Sequence, residues 1–344
     1  MAFEIGIAEG YLDVLGRLKS LLSNASRTIE DDENILELSP IPAGQTYTVL
    51  DWNTNWDGAG GCQLYLMGPG IAGDDEIFTG IQTYCHPGQD YYNWQLQGYT
   101  GYSGAATFHT QPGAIFRDVN NNNPKVLLWN QKIKYWFVAN GNRYIGFLKV
   151  ATVYEAFWGG FPLLYGFPVS IPAMNRYYPL IVGGSSCGYE TSYPRRFSST
   201  REGHRAFWDG YYAAGRASFR FLWDGTWLNG GNWTANTETG YSLAGVNIWP
   251  YLHTDYHSSP SAMPHKLFIE LKANIDGSRP LFPLIACGLT PKNIYAELQG
   301  LYAVPGFGSL SAEDIITTPD DVRHIVFPNA FRTNFNNYVA LKLE

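Results

Sequence analysis

Asp209, Asp224 and Glu238 stand among Trp208, Trp223, Trp227 and Trp233. Carboxylates between aromatic rings are the ingredients of glycoside chemistry: an acid for the leaving oxygen, a base or nucleophile opposite it, and flat rings on which a sugar stacks. No spacing fixes two of these carboxylates on one element, so the rings are the firmer feature. His253, Asp255 and His257, with His265 eight residues on, are of metal-ligand type. H-x-x-x-H ligates when a helix puts both imidazoles on one face. Here Pro250 and Pro264 bracket the run, which reads as a polar loop. Asp74-Asp75-Glu76 lacks the twelve-residue pattern of a calcium loop and reads as an acidic turn before a strand. Gly183–Gly188 lacks the strand–turn–helix setting of a nucleophile elbow, and no G-x-x-x-x-G-K-[ST] phosphate loop exists, so this run reads as a turn. Glu313-Asp314 after Ser311 resembles a short helix N-terminus, where negative charge suits the dipole. No catalytic residue, cofactor or metal site is expected, and the chain does not read as an enzyme.

What the sequence offers in place of a reactive constellation is aromatic surface. Trp129 to Pro168 holds 12 Phe, Tyr and Trp residues in 40 positions and only five Asp, Glu, Lys or Arg. Lys134–Ala139 and Arg143–Ala151 read as strands around Asn140-Gly141, a dipeptide that tolerates the positive φ angles of a type I′ hairpin. Tyr135 and Phe137 alternate with Trp136 and Val138, and Ile145 and Phe147 with Tyr144 and Leu148. Both faces of that sheet are apolar, so both must be covered, by another layer of this chain or by another copy of it.

The elements around the hairpin are mostly β. Ile7–Leu22 sets Tyr11, Val14, Leu15, Leu18, Leu21 and Leu22 at helical spacing, with Glu9, Asp13, Arg17 and Lys19 largely opposite. The polar stretch Thr28–Glu33 then reads as a linker. From Thr46 onwards short β-prone runs alternate with glycine, proline and asparagine: 46–52, 63–67, 76–83, 91–97, 106–109, 126–129, 180–182, 217–222, 267–273, 284–286, 294–298, 325–327 and 338–343. A helix is expected between Thr200 and Tyr212. The fold expected is an antiparallel β-sandwich-like body with long loops and a short N-terminal amphipathic helix. It divides into a helix and linker (1–45), an aromatic-rich β-body (46–290) and a C-terminal β region packed on it (291–344). The long loops are 118–124, with four consecutive asparagines, 223–245 and 250–264. Spans of this kind are functional or held by a partner in ordinary domains.

Composition narrows the partners. A net charge of −7 with scattered Lys and Arg argues against nucleic acid. Charged residues are 15% of the chain, against about 25% in an average soluble domain, as if neighbouring subunits covered part of the surface. Cys62, Cys85, Cys187 and Cys287 show no C-x-x-C or zinc-ribbon spacing and read as free thiols of a protein made in a cytoplasm. The N-terminus is acidic where a secretory leader would be basic. Ala156–Asn175 lacks charge for 20 residues, but its prolines and glycines would break a spanning helix, so it reads as a buried extended loop and no membrane is expected.

Several blocks carry a resemblance: LYLMGPGIAGDDEIFTGIQTY (64–84), YYNWQLQGYTGY (91–102), LWNQKIKYWFVANGNRYIGFLKVATVYEAFWGGF (128–161), YPLIVGGSS (178–186), LQGLYAVPGFGSLSAEDIIT (298–317) and the closing FPNAFRTNFNNYVALKL. Together they resemble a family of tailed-bacteriophage virion structural proteins. The resemblance implies a non-enzymatic virion component of the tail, neck or collar, or baseplate, made in the host cytoplasm. Its partners would be copies of itself around a symmetry axis, ring-like, and other virion proteins. It carries over no active-site residue. Aromatic anchors dominate obligate interfaces, and the candidates are Trp129, Trp136, Trp158, Trp223, Trp227 and Trp233. The alternative is a receptor-binding tail protein that contacts host surface glycans through the Trp-rich loops; a glycosidase comes third.

Overall fold

The computed structural model describes residues 2–24, 32–70, 76–86, 91–114, 124–164, 180–184, 217–220, 227–229, 247–249, 279–289, 292–304, 310–328 and 338–343. The expected strand at 267–273, the expected helix at 200–212 and all but Asp32 and Glu33 of the linker lie outside them, as do most of the three long loops.

The chain is mostly β, with three antiparallel sheets. In order come β1 (Ala2–Ala8), α1 (Tyr11–Leu22), β2 (Ile35–Ser39), β3 (Thr48–Asn53), β4 (Gln63–Gly68), β5 (Ile77–His86), β6 (Tyr91–Tyr99) and β7 (Lys125–Val126). Next are β8 (Ile133–Asn140), β9 (Arg143–Val150), β10 (Val153–Gly160), β11 (Leu163–Leu164), β12 (Leu180–Gly184), β13 (Ala217–Arg220), β14 (Trp227–Asn229) and β15 (Asn247–Trp249). The C-terminal strands are β16 (Phe282–Leu289), β17 (Lys292–Val304), β18 (Ile315–Thr317), β19 (Arg323–Pro328) and β20 (Tyr338–Lys342).

An eight-stranded sheet, β14-β13-β12-β10-β9-β8-β1-β2, forms the middle layer. On one face Trp136, Ile145, Phe147 and Trp158 pack against Leu298, Leu301, Phe327 and Leu341 of a seven-stranded sheet, β15-β16-β17-β20-β19-β18. On the other, Tyr135, Phe137, Tyr144 and Phe157 pack against α1 and against Leu64, Ile81, Trp94 and Leu96 of a five-stranded sheet, β3-β4-β5-β6-β7. Both apolar faces of the hairpin are therefore covered by this chain itself, and its rings require no companion.

Glycine explains how one body conceals so many rings. Across the ladder, Gly146 faces Phe137 and Phe157, Gly159 faces Tyr144, and Gly6 faces Tyr135. A Cβ on any of the three would collide with the facing ring or its hydroxyl. Each glycine thus gives a large side chain a seat on the pleated surface, where two bulky residues could not both lie flat.

Several local expectations change. Ala156–Gly160 is the end of a central strand, β10, Leu163–Leu164 form β11 against β17, only Phe161 and Pro162 between them are irregular, and 165–175 lie outside the described residues. Residues 106–109 form turns, held by Gln97 Nε2 and the Tyr99 hydroxyl, which both donate to the Phe108 carbonyl at 2.6 and 3.0 Å. Asn140 pairs with Arg143, so the two-residue turn is Gly141-Asn142, and neither residue is among those with positive φ. The Asn140 side chain organises it, accepting from the backbone N–H groups of Asn142 and Arg143. The next hairpin, between Val150 and Val153, does use a positive φ, at Ala151 (55°).

The N-terminal expectation changes most. Helix begins only at Tyr11, because Ala2–Ala8 enters the middle sheet between β8 and β2. Ladders therefore run across both expected boundaries: β1 and β2 pair into the sheet of the β-body, and β15 and β16 into the sheet of the C-terminal strands.

Candidate assembly surface and buried polar sites

Three polar constellations tie the layers together. In the first, Glu4 on β1 is buried, and the Tyr135 hydroxyl donates to its carboxylate at 2.6 Å. Arg17 on α1 donates to that hydroxyl at 3.2 Å and pairs with Asp13 at 3.1 Å and Asp32 at 3.0 Å. Arg17 was expected on the solvent side of the helix, yet it is buried. Burial alone would lower its pKa, but the bonds to Tyr135 and Asp13 outweigh it and hold the pKa above the ordinary value. Burial and the Glu4 charge push the Tyr135 hydroxyl up, so it stays a donor at any ordinary pH. This relay clamps α1 to the sheet.

In the second, Glu313 accepts from Lys134 at 2.6 Å, Lys149 at 2.7 Å and the Tyr154 hydroxyl at 2.8 Å. Burial pushes its carboxyl up, but the three donors reverse the sign and bring it to about 2. Glu313 and Asp314 do not open a helix: they lie in a turn where Glu313 takes a φ of 70°. A left-handed backbone on a glutamate is costly, and the donors from β8, β9 and β10 offset it. In the third, Arg143 donates to the backbone and side-chain oxygens of Gln299 at 3.1 and 3.0 Å and lies 6.0 Å from the Trp158 ring centroid. Burial lowers its pKa to about 10, which leaves it cationic at neutral pH.

These sites stabilise, and none presents a reacting group to a ligand. Cys62 is free and buried, and burial pushes its thiol up to about 11, away from thiolate chemistry. Among the described residues no group of three or more His, Cys, Asp or Glu converges, and no helix is long and apolar enough to cross a membrane. His253, Asp255, His257, His265, Asp74, Asp75, Asp209, Asp224 and Glu238 lie outside those residues.

The aromatic anchors divide. Trp136 and Trp158 are 1% and 0% exposed within a single chain, so neither is free to anchor a partner. The sheet-on-sheet core consumes both. Trp129 is half-buried against the core under α1. Trp227 begins β14, opposite Arg220, while Trp223 and Trp233 lie outside the described residues.

The exposed large apolar side chains among the described residues are scattered, Leu12 on α1, Trp56 after β3 and Leu163 on β11, and the two most exposed lie on terminal strands. β2 closes one end of the middle sheet and β18 one end of the seven-stranded sheet. Arg323 of β19 bridges the layers there, lying 5.6 Å from the Phe3 ring centroid on β1 and 2.7 Å from the Glu37 carboxylate on β2. β19 therefore lies over the β1/β2 end of the middle sheet. Leu36 of β2 is 51% and Ile315 of β18 50% exposed. Ile315 pairs with Ile325 and so points towards the inter-sheet core, which is open on this side. The sequence hint was Ile35-Leu36-Glu37-Leu38 between acidic and Pro-rich flanks, a run too short to register as a strand. No protein-family profile matches the chain, and no curated protein matches it.

Proposed function

We propose that the chain is a structural subunit of a tailed-bacteriophage virion, of the tail, neck or collar, or baseplate, working by assembly with copies of itself and with other virion proteins rather than by catalysis. The observation that carries the assembly half is the open edge. β2 and β18 end their sheets with a half-exposed aliphatic side chain each, even though both are short and β2 is bulged, features that blunt an edge in isolated β-proteins. The virion half rests on the sequence blocks at 64–84, 91–102, 128–161 and 298–317.

Assembly by such a surface fits a body whose core is already complete. The subunit folds alone, and contacts are added at its margins. Mass spectrometry of purified particles of the phage that encodes the chain tests the reading. The expected result is the chain present in multiple stoichiometric copies; particles complete and infectious without it would overturn the reading.

A further inference from the structure

We propose that the β18–β19 hairpin is an acid-sensitive latch: protonation of His324 on β19 frees the terminal strand β18, while Glu313 keeps the base of the hairpin fastened to the middle sheet. The inference stands apart from the virion reading.

His324 is 3% exposed, on the outer face of the seven-stranded sheet. Ile316 of β18 lies across the ladder on one side of it and Lys342 of β20 on the other. The Tyr302 ring of β17 meets the imidazole edge-on, with centroids 5.2 Å apart. Beside it Val304, Val326 and Ala340 form a small apolar cluster, against which Ile316 and Tyr302 pack. A neutral ring suits that seat. Its Nδ1 lies 3.2 Å from the Val322 carbonyl, to which it donates in the tautomer that carries its proton there. The same carbonyl accepts from the backbone N–H of Thr318 at 3.0 Å and from its hydroxyl at 3.1 Å. The turn that joins β18 to β19 is thus gathered on one oxygen that His324 also holds.

A second proton on the ring upsets this arrangement. Lys342 is the cross-strand partner of His324, and like charges directly opposite in a ladder destabilise it. Among the described residues Asp320 in the turn is the counter-charge, but it is fully exposed and screened by solvent. Burial keeps the Tyr302 hydroxyl protonated, Ile316 brings no charge, and Arg323 points to the other face, towards Glu37. Burial, with the Lys342 charge behind it, outweighs the Val322 carbonyl and Asp320 and holds the His324 pKa below its ordinary 6.5. The unfolded strand therefore takes the proton first. What neutral His324 contributes is complete above pH 6.5 and is lost as pH falls below it.

β18 is the element that this loss reaches. It is three residues long, ends its sheet and pairs with β19 alone. Just before it, Glu313 is held by Lys134, Lys149 and Tyr154, and its backbone N–H donates to the Val326 carbonyl at 2.7 Å. That carboxylate stays ionised until about pH 2, so in mild acid the base of the hairpin holds while the turn end opens. Release of β18 bares the backbone row of β19, to which another strand can add.

Hydrogen exchange of the full chain at about pH 7.5 and pH 5, corrected for the intrinsic pH dependence of exchange, tests the latch. Amides of β18 and of the turn 318–322 should lose protection several-fold at the lower pH, while β8 and β9 keep theirs. His324→Asn retains a donor near the Nδ1 position without a titrating ring, and its β18 should be equally protected at both pH values. Lys342→Met keeps the imidazole but removes the facing charge, so the acid loss should shrink. The latch is overturned by a wild-type β18 indifferent to acid, by an equal loss in His324→Asn, or by a loss that sweeps β8 and β9 along. Should His324→Asn fail to fold, Lys342→Met decides, and an undiminished acid loss there overturns the proposal.

Discussion

The β8–β9 hairpin and the β2 edge strand are both rich in large apolar side chains, and the molecule treats them oppositely. Trp136 and Phe147 of the hairpin lie in the middle of an eight-stranded sheet, closed above by Phe327 and Leu341 and below by α1 and the five-stranded sheet. Leu36 of β2, one of only five residues in its strand, is left half in solvent. Composition gives the two regions the same apolar character. Position in the strand order separates them: a strand with neighbours on both sides and layers on both faces has no surface left, whereas a terminal strand keeps a free edge whatever its side chains.

The contrast breaks most visibly in the hairpin. Phe147 stacks on Phe327 at 4.1 Å and 9°. Phe147→Ala should destabilise the isolated chain by about 3–5 kcal/mol in denaturant titration, with no dependence on protein concentration. A concentration-dependent loss would mean that this face was never closed by its own chain.

Gly159→Ala probes the same interior by addition instead of removal. A Cβ there meets the Tyr144 ring, and overpacking of this kind costs about 1–3 kcal/mol. An unchanged midpoint would reject the account of glycines as seats for rings.

Glu313→Gln separates packing from charge at the join between the layers. The Glu313 pKa is depressed in the folded chain, to about 2 from an ordinary 4.5. Its contribution is therefore fully present above pH 4.5 and lost as pH falls from there towards 2. The variant should lower stability at pH 7 by on the order of 1 kcal/mol, since the lysines it meets are partly exposed. It should also flatten the decline between pH 4.5 and 2 seen in thermal melts. An equally steep acid transition in the variant would remove Glu313 from the account.

The smallest expected effect on folding belongs to the edge. Leu36→Lys should change monomer stability by less than about 0.5 kcal/mol, even though its effect on association is large. A substantial loss of monomer stability would make Leu36 part of the core and erase the contrast.

The sequence made the β class, the helix stripe at Tyr11–Leu22 and the hairpin legible, because alternation and helical spacing are local signals. It concealed the roles of glycine and of the N-terminus, which depend on contacts far along the chain. Gly159-Gly160 reads as a breaker until Tyr144 is seen across the ladder. Ala2–Ala8 reads as the approach to a helix until Phe3 and Ile5 are seen beside β8. Trp136 and Trp158 attract attention as anchors because size suits an interface and a core equally. Nothing local to Leu36 or Ile315 announces that β2 and β18 will terminate their sheets. Glu313, placed by propensity at a helix start, owes its role to Lys134 and Lys149, some 160 to 180 residues away.

Hydrogen exchange across a dilution series tests the closed interior and the open edge together. Amides of β8 and β9 should stay protected at every concentration, while those of β2 should lose protection as the protein is diluted below its dissociation constant. Exchange of β8 and β9 that quickens on dilution, with β2 unchanged, would contradict the account.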